Sequence, residues 1–214
     1  MKALGIEGVN GLRKEVVEAQ VQQLIRKNEV RGTVRIKIMV WRKTGGLYTP
    51  DNSHFNVLIS ISPYKYNPEV NHLKLGVSQK VRLYNSPISK FKTCNALPYI
   101  IAGIEKQQSV FDDLILLDQK GNVSECTASN IYWVKDGTVF TPSLKTGCVA
   151  GISRKNIIKK LSKRGFEVKK AKASPTVLMT AQHIFLSNVG QLAHVAKFGS
   201  TEFKPFKPIV GLMA

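Results

Sequence analysis

"LLDQKGNVSECTASNIYWVKDGTVFTPSLKTGCVAGISR", residues 116–154, decides the fold. It grows out of "DLILLD" (113–118), an apolar run of buried-strand length that ends in the turn residues "QKGN". "VSECTASNIYWV" (123–134) then reads as one longer strand, "KDG" as a tight hairpin and "TVFTP" (138–142) as the returning strand. The glycine-containing loop "KTGCVAG" runs into a helix that stops at Gly165, with Ser153 as its N-cap. Extended segments and a helix that share one stretch of chain define an α/β unit.

The same reading extends outward in both directions. Upstream, Leu97, Ile100, Ile101 and Ile104 recur at helical spacing in "NALPYIIAGIEKQQ", and this spacing predicts a helix with that face buried. Asn95 stands as its N-cap, and Pro98 falls in the first turn, where a missing N–H costs nothing. "LKLGVSQKVRL" (73–83) is the strand before it. "SPYKYNPEVN", with Pro63 and Pro68 and no periodicity, marks a linker at 63–72. Before the linker, Leu12, Val16, Val17, Val21 and Leu24 predict a helix, and "TVRIKIMVWR" and "HFNVLISISP" predict two strands around a "TGG" turn. Downstream, "HIFLSNVGQLAHV" is a strand ending in Ser187 and Asn188. The expected organisation is a partial α+β domain at 1–62 and an α/β domain at 73–214.

Composition narrows the function. A chain of 214 residues that is 43% hydrophobic can bury a sizeable core. No apolar run approaches the roughly 18 residues that span a bilayer, and the first 20 residues carry charges where a secretory segment has none, so a cytoplasmic protein with no membrane partner is expected. Cys94, Cys126 and Cys148 are odd in number and far apart, which fits reduced packing residues and neither a disulfide framework nor a metal site. The formal charge is +18, and from Thr141 onward 13 Lys and Arg face only Glu167 and Glu202. Those lysines fall on the polar side of an amphipathic helix and on the strand after it, without interleaved aromatics. A basic coat around an anion-binding protein is therefore expected, with no nucleic acid.

Four features carry chemistry. Lys92 sits where a strand hands over to a helix, a place that can hold an amine inside a cleft and lower its pKa. If 123–134 is one regular strand, Glu125 shares a face with Val123 and Ile131, so a carboxylate points into the core. A buried acid needs a partner, either an arginine or a cationic heterocycle nitrogen. Gly151, Ile152 and Ser153 open a helix whose free N–H groups and dipole favour a phosphate. Ser187 and Asn188 end a strand, where they serve either the same anion or a turn.

A lysine, "G-x-V-x-E-x-T-x-S-N" including Ser129 and Asn130, "TP", "G-x-x-x-G-I-x-R" and a late "S-N" occur here in one order. In that order the chain resembles the fold-type IV pyridoxal-phosphate enzymes from about residue 8 to residue 200. The family includes branched-chain and D-amino acid aminotransferases and 4-amino-4-deoxychorismate lyases. The resemblance implies a two-domain fold of the D-amino acid aminotransferase type, pyridoxal 5'-phosphate as cofactor, and Lys92 as its Schiff-base lysine and the acid–base of the reaction. It implies that Glu125 holds the pyridine nitrogen protonated. It also implies that Ser129, Asn130, Gly151, Ile152, Ser153, Ser187 and Asn188 form the cofactor site, and that the active form is a homodimer acting on amino or keto acids.

"WRKTGGLYTP" and "SECTASNIYW" lie closest to the wording of the lyases, which implies cleavage of 4-amino-4-deoxychorismate to 4-aminobenzoate, a folate precursor, and pyruvate. Leu47 stands where the lyases have an arginine facing the substrate's carboxylates, which leaves Arg42 and Lys43 as candidate partners. A transaminase is the alternative reaction. The family's "H-x-x-R-L" segment, whose arginine grips the phosphate, is expected ahead of "MKALGIEG". The first domain is accordingly expected to be incomplete, through either a late-assigned start or a genuine loss that leaves a cofactor-free binding remnant.

Overall fold

The helical spacing of Val17, Val21 and Leu24 becomes α1, Lys14–Lys27, in a computed structural model that describes residues 1–65 and 69–212. The chain divides into two units, 1–66 and 67–214. In the first, β1 (Val34–Arg42) and β2 (Phe55–Pro63) pair antiparallel over their whole length, from Val34 opposite Pro63 to Arg42 opposite Phe55. Among the described residues of this unit only Ile6 and Val21 are buried apolar side chains, while Ile36, Ile38, Trp41 and Leu58 stay 44–49% exposed. Two strands and one helix cannot cover both faces of a hairpin.

The second unit is one mixed sheet. Its strands are β3 (Glu69–Leu83), β4 (Asp113–Asp118), β5 (Val123–Cys126), β6 (Asn130–Lys135), β7 (Thr138–Pro142), β8 (Val168–Ala171), β9 (His183–Ser187), β10 (Leu192–Phe198) and β11 (Thr201–Glu202). They lie in the order β5-β4-β3-β10-β9-β6-β7-β8, with β11 on β10. The parallel neighbours β3/β4 and β7/β8 need crossovers, and these are the helices α2 (Leu97–Gln107) and α3 (Ile152–Lys163). A short helix, α4 (Thr176–Met179), precedes β9. The hairpin between β6 and β7 turns on Asp136 and Gly137, both at positive φ (49° and 74°), as a two-residue turn requires. The sheet curls, and β5 returns against β6 and β7.

Alternation along the strands sorts the core. Ile131 and Trp133 of β6, Ile115 and Leu117 of β4, and Leu75 of β3 meet on one side. Tyr132 and Val134 point the other way, against Ile157 and Leu161 of α3. Leu116 likewise turns from the central cluster to pack with Val81, Leu83 and Ala102 beside α2.

Several expectations are corrected. Residues 123–134 are not one strand: Thr127, Ala128 and Ser129 break it into β5 and β6, which are not hydrogen-bonded neighbours. Of the linker placed at 63–72, residues 66–68 lie outside the described residues, and Glu69–His72 belong to β3 because β10 runs alongside as a parallel partner. A partner supplied from more than 120 residues away leaves no local signal. Asn95 does not cap α2; Ala96 precedes the helix without a side-chain cap bond, and Pro98 falls in its first turn.

The stripe expected to be buried on α2 is exposed: Leu97 66%, Ile100 55%, Ile101 47% and Ile104 48%. Ala102 is fully buried instead, with Tyr99 packed beside it. Residues 97–104 are apolar nearly all round the helix, so periodicity alone does not choose the inward face. The small Ala102 permits a close approach to the sheet. Nor are all three cysteines packing residues, because Cys94 is exposed while Cys126 and Cys148 are buried.

Candidate active site

Glu125 is buried in the middle of β5, but not on the face expected for it. A register shift places Leu116 opposite Glu125 and Leu117 opposite Val123, so Ser124 is an extra residue and the alternation changes phase. Val123, Cys126 and Ile131 join the central cluster, whereas Glu125 meets Tyr99 of α2. Its partners are not an arginine pair: the Tyr99 hydroxyl donates to Oε1 at 2.6 Å, and the Val149 N–H donates to Oε1 and Oε2 at 3.2 and 3.3 Å.

Burial pushes the Glu125 carboxyl above the usual range, against the lowering effect of these hydrogen bonds and of the Lys92 and Arg154 charges. Burial, followed by the neighbouring carboxylate, holds the Tyr99 hydroxyl far above an ordinary tyrosine, so it stays a donor. Cys148, in the same neighbourhood, is pushed up to about 11 by burial first and by Glu125 second.

Lys92 lies in the irregular stretch between β3 and α2. The Ala150 N–H donates to the Lys90 carbonyl at 2.8 Å, which ties that stretch to the loop leading into α3. The Lys92 side chain is exposed rather than held in a cleft, though its charge is felt by Glu125.

The second focus is where β6, β9 and α3 converge. Ser187 is fully buried, with its Oγ 3.1 Å from Ser153 Oγ and 3.0 Å from the Tyr132 hydroxyl. Asn130 Nδ2 donates to the Ser187 carbonyl at 2.8 Å and reaches Ser153 Oγ at 3.3 Å. Gly151, not Ser153, is the N-cap of α3; having no side chain, it leaves the first N–H groups without a side-chain cap, and Ser153 turns to Ser187. A Cβ on Gly151 would come within 2.8 Å of Asn130 Oδ1. Ile152 is 74% exposed, so its backbone is what it brings to the site.

Asn188 serves the turn between β9 and β10. Its Oδ1 accepts the N–H groups of Gly190 and Gln191, and its Nδ2 donates to Ser129 Oγ. Arg42, in the first unit, has its guanidinium on the carbonyls of Leu4, Gly5 and Asn52. The Lys43 side chain is exposed.

Four contributors were missed by sequence reasoning. Arg154 is buried, donating to the Pro142 carbonyl at 2.7 Å and Thr141 Oγ1 at 3.4 Å, and its charge acts on Glu125 and Tyr132. Its spacing to Ile157 and Leu161 on α3 was a legible signal. Tyr99, three residues before Ala102, carried a weaker one. The contributions of the Val149 N–H and of Tyr132 to Ser187 depend on tertiary contacts alone.

The family model described as amino-transferase class IV matches residues 10–197, and the chain belongs to that family. It is 30% identical over 202 residues to branched-chain-amino-acid aminotransferase-like protein 1 of Arabidopsis thaliana, covering 92% of this chain and 36% of that protein. It is 31% identical over 160 residues to the aminodeoxychorismate lyase of Vibrio harveyi, covering 72% of this chain and 58% of that one.

Among solved structures, an aminotransferase from Brucella abortus bound to the cofactor PLP superposes with a TM-score of 0.81 at 23% identity, over 97% of this chain and 75% of that one. This chain thus spans between about a third and three fifths of the curated relatives' lengths. Enzymes of the family are pyridoxal-phosphate-dependent aminotransferases and lyases. The donor set here suits that cofactor: hydroxyls and uncapped N–H groups for a phosphate, a glycine where a Cβ would crowd Asn130, and a buried carboxylate for a ring N–H.

Proposed function

We propose that this chain carries the cofactor-binding unit of a pyridoxal-phosphate enzyme whose reaction is that of a 4-amino-4-deoxychorismate lyase, giving 4-aminobenzoate and pyruvate. The observation that carries the cofactor reading is the pairing of a buried, hydrogen-bonded Glu125 with the Ser153–Ser187 hydroxyl pair at the start of α3. When bound, pyridoxal phosphate supplies an electron sink for charge left behind as a proton departs from an amine-bearing carbon. Ser153, Ser187 and the first N–H groups of α3 bind the phosphate. Glu125 accepts the ring N–H, while Ser129, Asn130, Gly151 and Asn188 shape and brace that end of the site. Lys92 carries the covalent attachment and moves the proton at the substrate carbon. In this reading the enzyme is a homodimer, which light scattering of the purified protein tests.

The lyase choice is supported by the "SECTASNIYW" and "WRKTGG" wording and by the Vibrio harveyi relative. The transaminase is the second reading, and a specific observation favours it. Arg42 is engaged by backbone carbonyls, and Leu47, where the lyases carry an arginine, is a 96% exposed leucine, so of the candidate cations for a second substrate carboxylate only the exposed Lys43 is left. The deciding experiment supplies 4-amino-4-deoxychorismate in one tube and L-glutamate, L-leucine or D-alanine without a keto acid in others. Equal amounts of 4-aminobenzoate and pyruvate support the lyase. Stoichiometric pyridoxamine phosphate from an amino acid, with no 4-aminobenzoate, replaces it with the transaminase.

A further inference from the structure

Glu125 has two oxygens in unequal positions. Oε1 receives the Tyr99 hydroxyl at 2.6 Å and the Val149 N–H at 3.2 Å, whereas among the described residues Oε2 receives only the Val149 N–H, at 3.3 Å. A phenol at that distance on a carboxylate is a charge-assisted bond, stronger and more directional than the long amide contacts. Tyr99 is itself held between α2 and the sheet, packed with Val81, Leu83, Ala102 and Leu116, so its hydroxyl is delivered from a fixed frame.

We infer that Tyr99 is a positioning residue for Glu125: by occupying Oε1 it fixes the plane of the carboxylate and presents Oε2 as the oxygen that accepts a ligand's ring N–H. This rests on the cofactor reading above, but the device itself belongs to the protein's own residues. The charged and titratable groups around Glu125 come from five places: Tyr99 on α2, Lys92 ahead of α2, Arg154 on α3, Cys148 in the loop between β7 and α3, and Cys126 beside it on β5. Of these side chains, Tyr99 is the one whose hydrogen bond to the carboxylate is resolved. Its removal leaves a buried carboxyl with only an amide donor, a state that favours the protonated form. A protonated carboxyl cannot keep a pyridine nitrogen charged.

The test has two arms. In the first, the ligand-free chain is labelled with 13C at the glutamate carboxyls, the Glu125 resonance is identified by its loss in Glu125→Gln, and its titration is followed in Tyr99→Phe and with 3-fluorotyrosine at position 99. The midpoint is expected to move to higher pH in Tyr99→Phe and to lower pH with the fluorinated, more acidic phenol. Unchanged midpoints overturn the inference, and the fluorotyrosine result decides alone if Tyr99→Phe does not fold.

In the second arm, pyridoxal phosphate labelled with 15N in its ring is added. The protonated-ring signature seen with the wild type is expected to be lost in Tyr99→Phe at the same pH, with the dissociation constant raised roughly three- to tenfold, the worth of one hydrogen bond. A ring signal that stays protonated while the carboxyl midpoint moves overturns the presentation of Oε2. Absence of any bound cofactor in the wild type overturns the cofactor reading and leaves the first arm to judge Tyr99.

Discussion

Glu125 lies opposite Leu116 across the β4–β5 pair, one residue out of phase with the alternation that Val123 begins. That single extra residue moves the carboxylate from the central apolar cluster to the side of α2, where Tyr99 and the Val149 N–H meet it. A displacement of one position along a strand thus separates an unpartnered buried acid from a hydrogen-bonded one.

Replacing Glu125 with Gln tests its electrostatic state. Its folded pKa is raised, so the stability it contributes is fully present below the unfolded carboxylate value and is lost as pH rises through the folded one. Glu125→Gln does not titrate. The variant is therefore expected to gain stability relative to the wild type as pH rises from the ordinary carboxylate range upward, measured by urea melts at a series of pH values. A difference independent of pH would show a carboxyl with an ordinary pKa. In the cofactor reading the same variant retains the cofactor but slows proton transfer on the order of 10²-fold, because an amide cannot stabilise a charged ring nitrogen.

Gly151→Ala is expected to cost about 1–3 kcal/mol in a denaturant melt and to weaken phosphate binding. The backbone permits alanine, at φ −59°, but the added Cβ falls 2.8 Å from Asn130 Oδ1 and 3.3 Å from Nδ2. Asn130 cannot give way freely, since Nδ2 holds the Ser187 carbonyl. A fully stable Gly151→Ala protein would show that Asn130 is more loosely held than its bonds imply.

The Tyr132–Ser187 contact suits a double-mutant cycle. Ser187→Ala alone leaves the buried Tyr132 hydroxyl without its partner, at a cost of about 1–3 kcal/mol, whereas adding Tyr132→Phe removes the unsatisfied group and recovers part of that loss. Strictly additive losses would mean that the two hydroxyls are not coupled.

Borohydride reduction of cofactor-treated protein is expected to fix the cofactor to Lys92, mapped by peptide mass spectrometry, and Lys92→Ala is expected to lose the adduct. The lysine is exposed, yet its charge is felt by the buried Glu125. An adduct on a different lysine would remove Lys92 from the site.

Arg42→Ala separates a structural arginine from a substrate-binding one. Its guanidinium spans the carbonyls of Leu4, Gly5 and Asn52, so the substitution is expected to lower amide-exchange protection around residues 4–6 and 52–54 and to leave the KM of an active preparation unchanged. A raised KM with unchanged protection would restore Arg42 as a substrate contact.

What the sequence determined was the part governed by local periodicity and turn chemistry. The strands β4 and β7, the Asp136–Gly137 hairpin, and a helix ending before Gly165 were legible, because each depends on neighbours a few residues away, whereas the break at 127–129 that separates β5 from β6 and the N-cap at Gly151 were not. The tertiary structure decided which faces meet. The phase change at Ser124 needs β4 as a partner, the N-terminal extension of β3 needs β10, and the choice of Ala102 and Tyr99 as the buried face of α2 needs the sheet beneath it. The partners of Glu125, Ser187 and Asn130 are set by the same long-range pairing: a hydrogen bond between residues 26 to 57 positions apart leaves no trace in local pattern, since either residue alone fits its own segment equally well without the other.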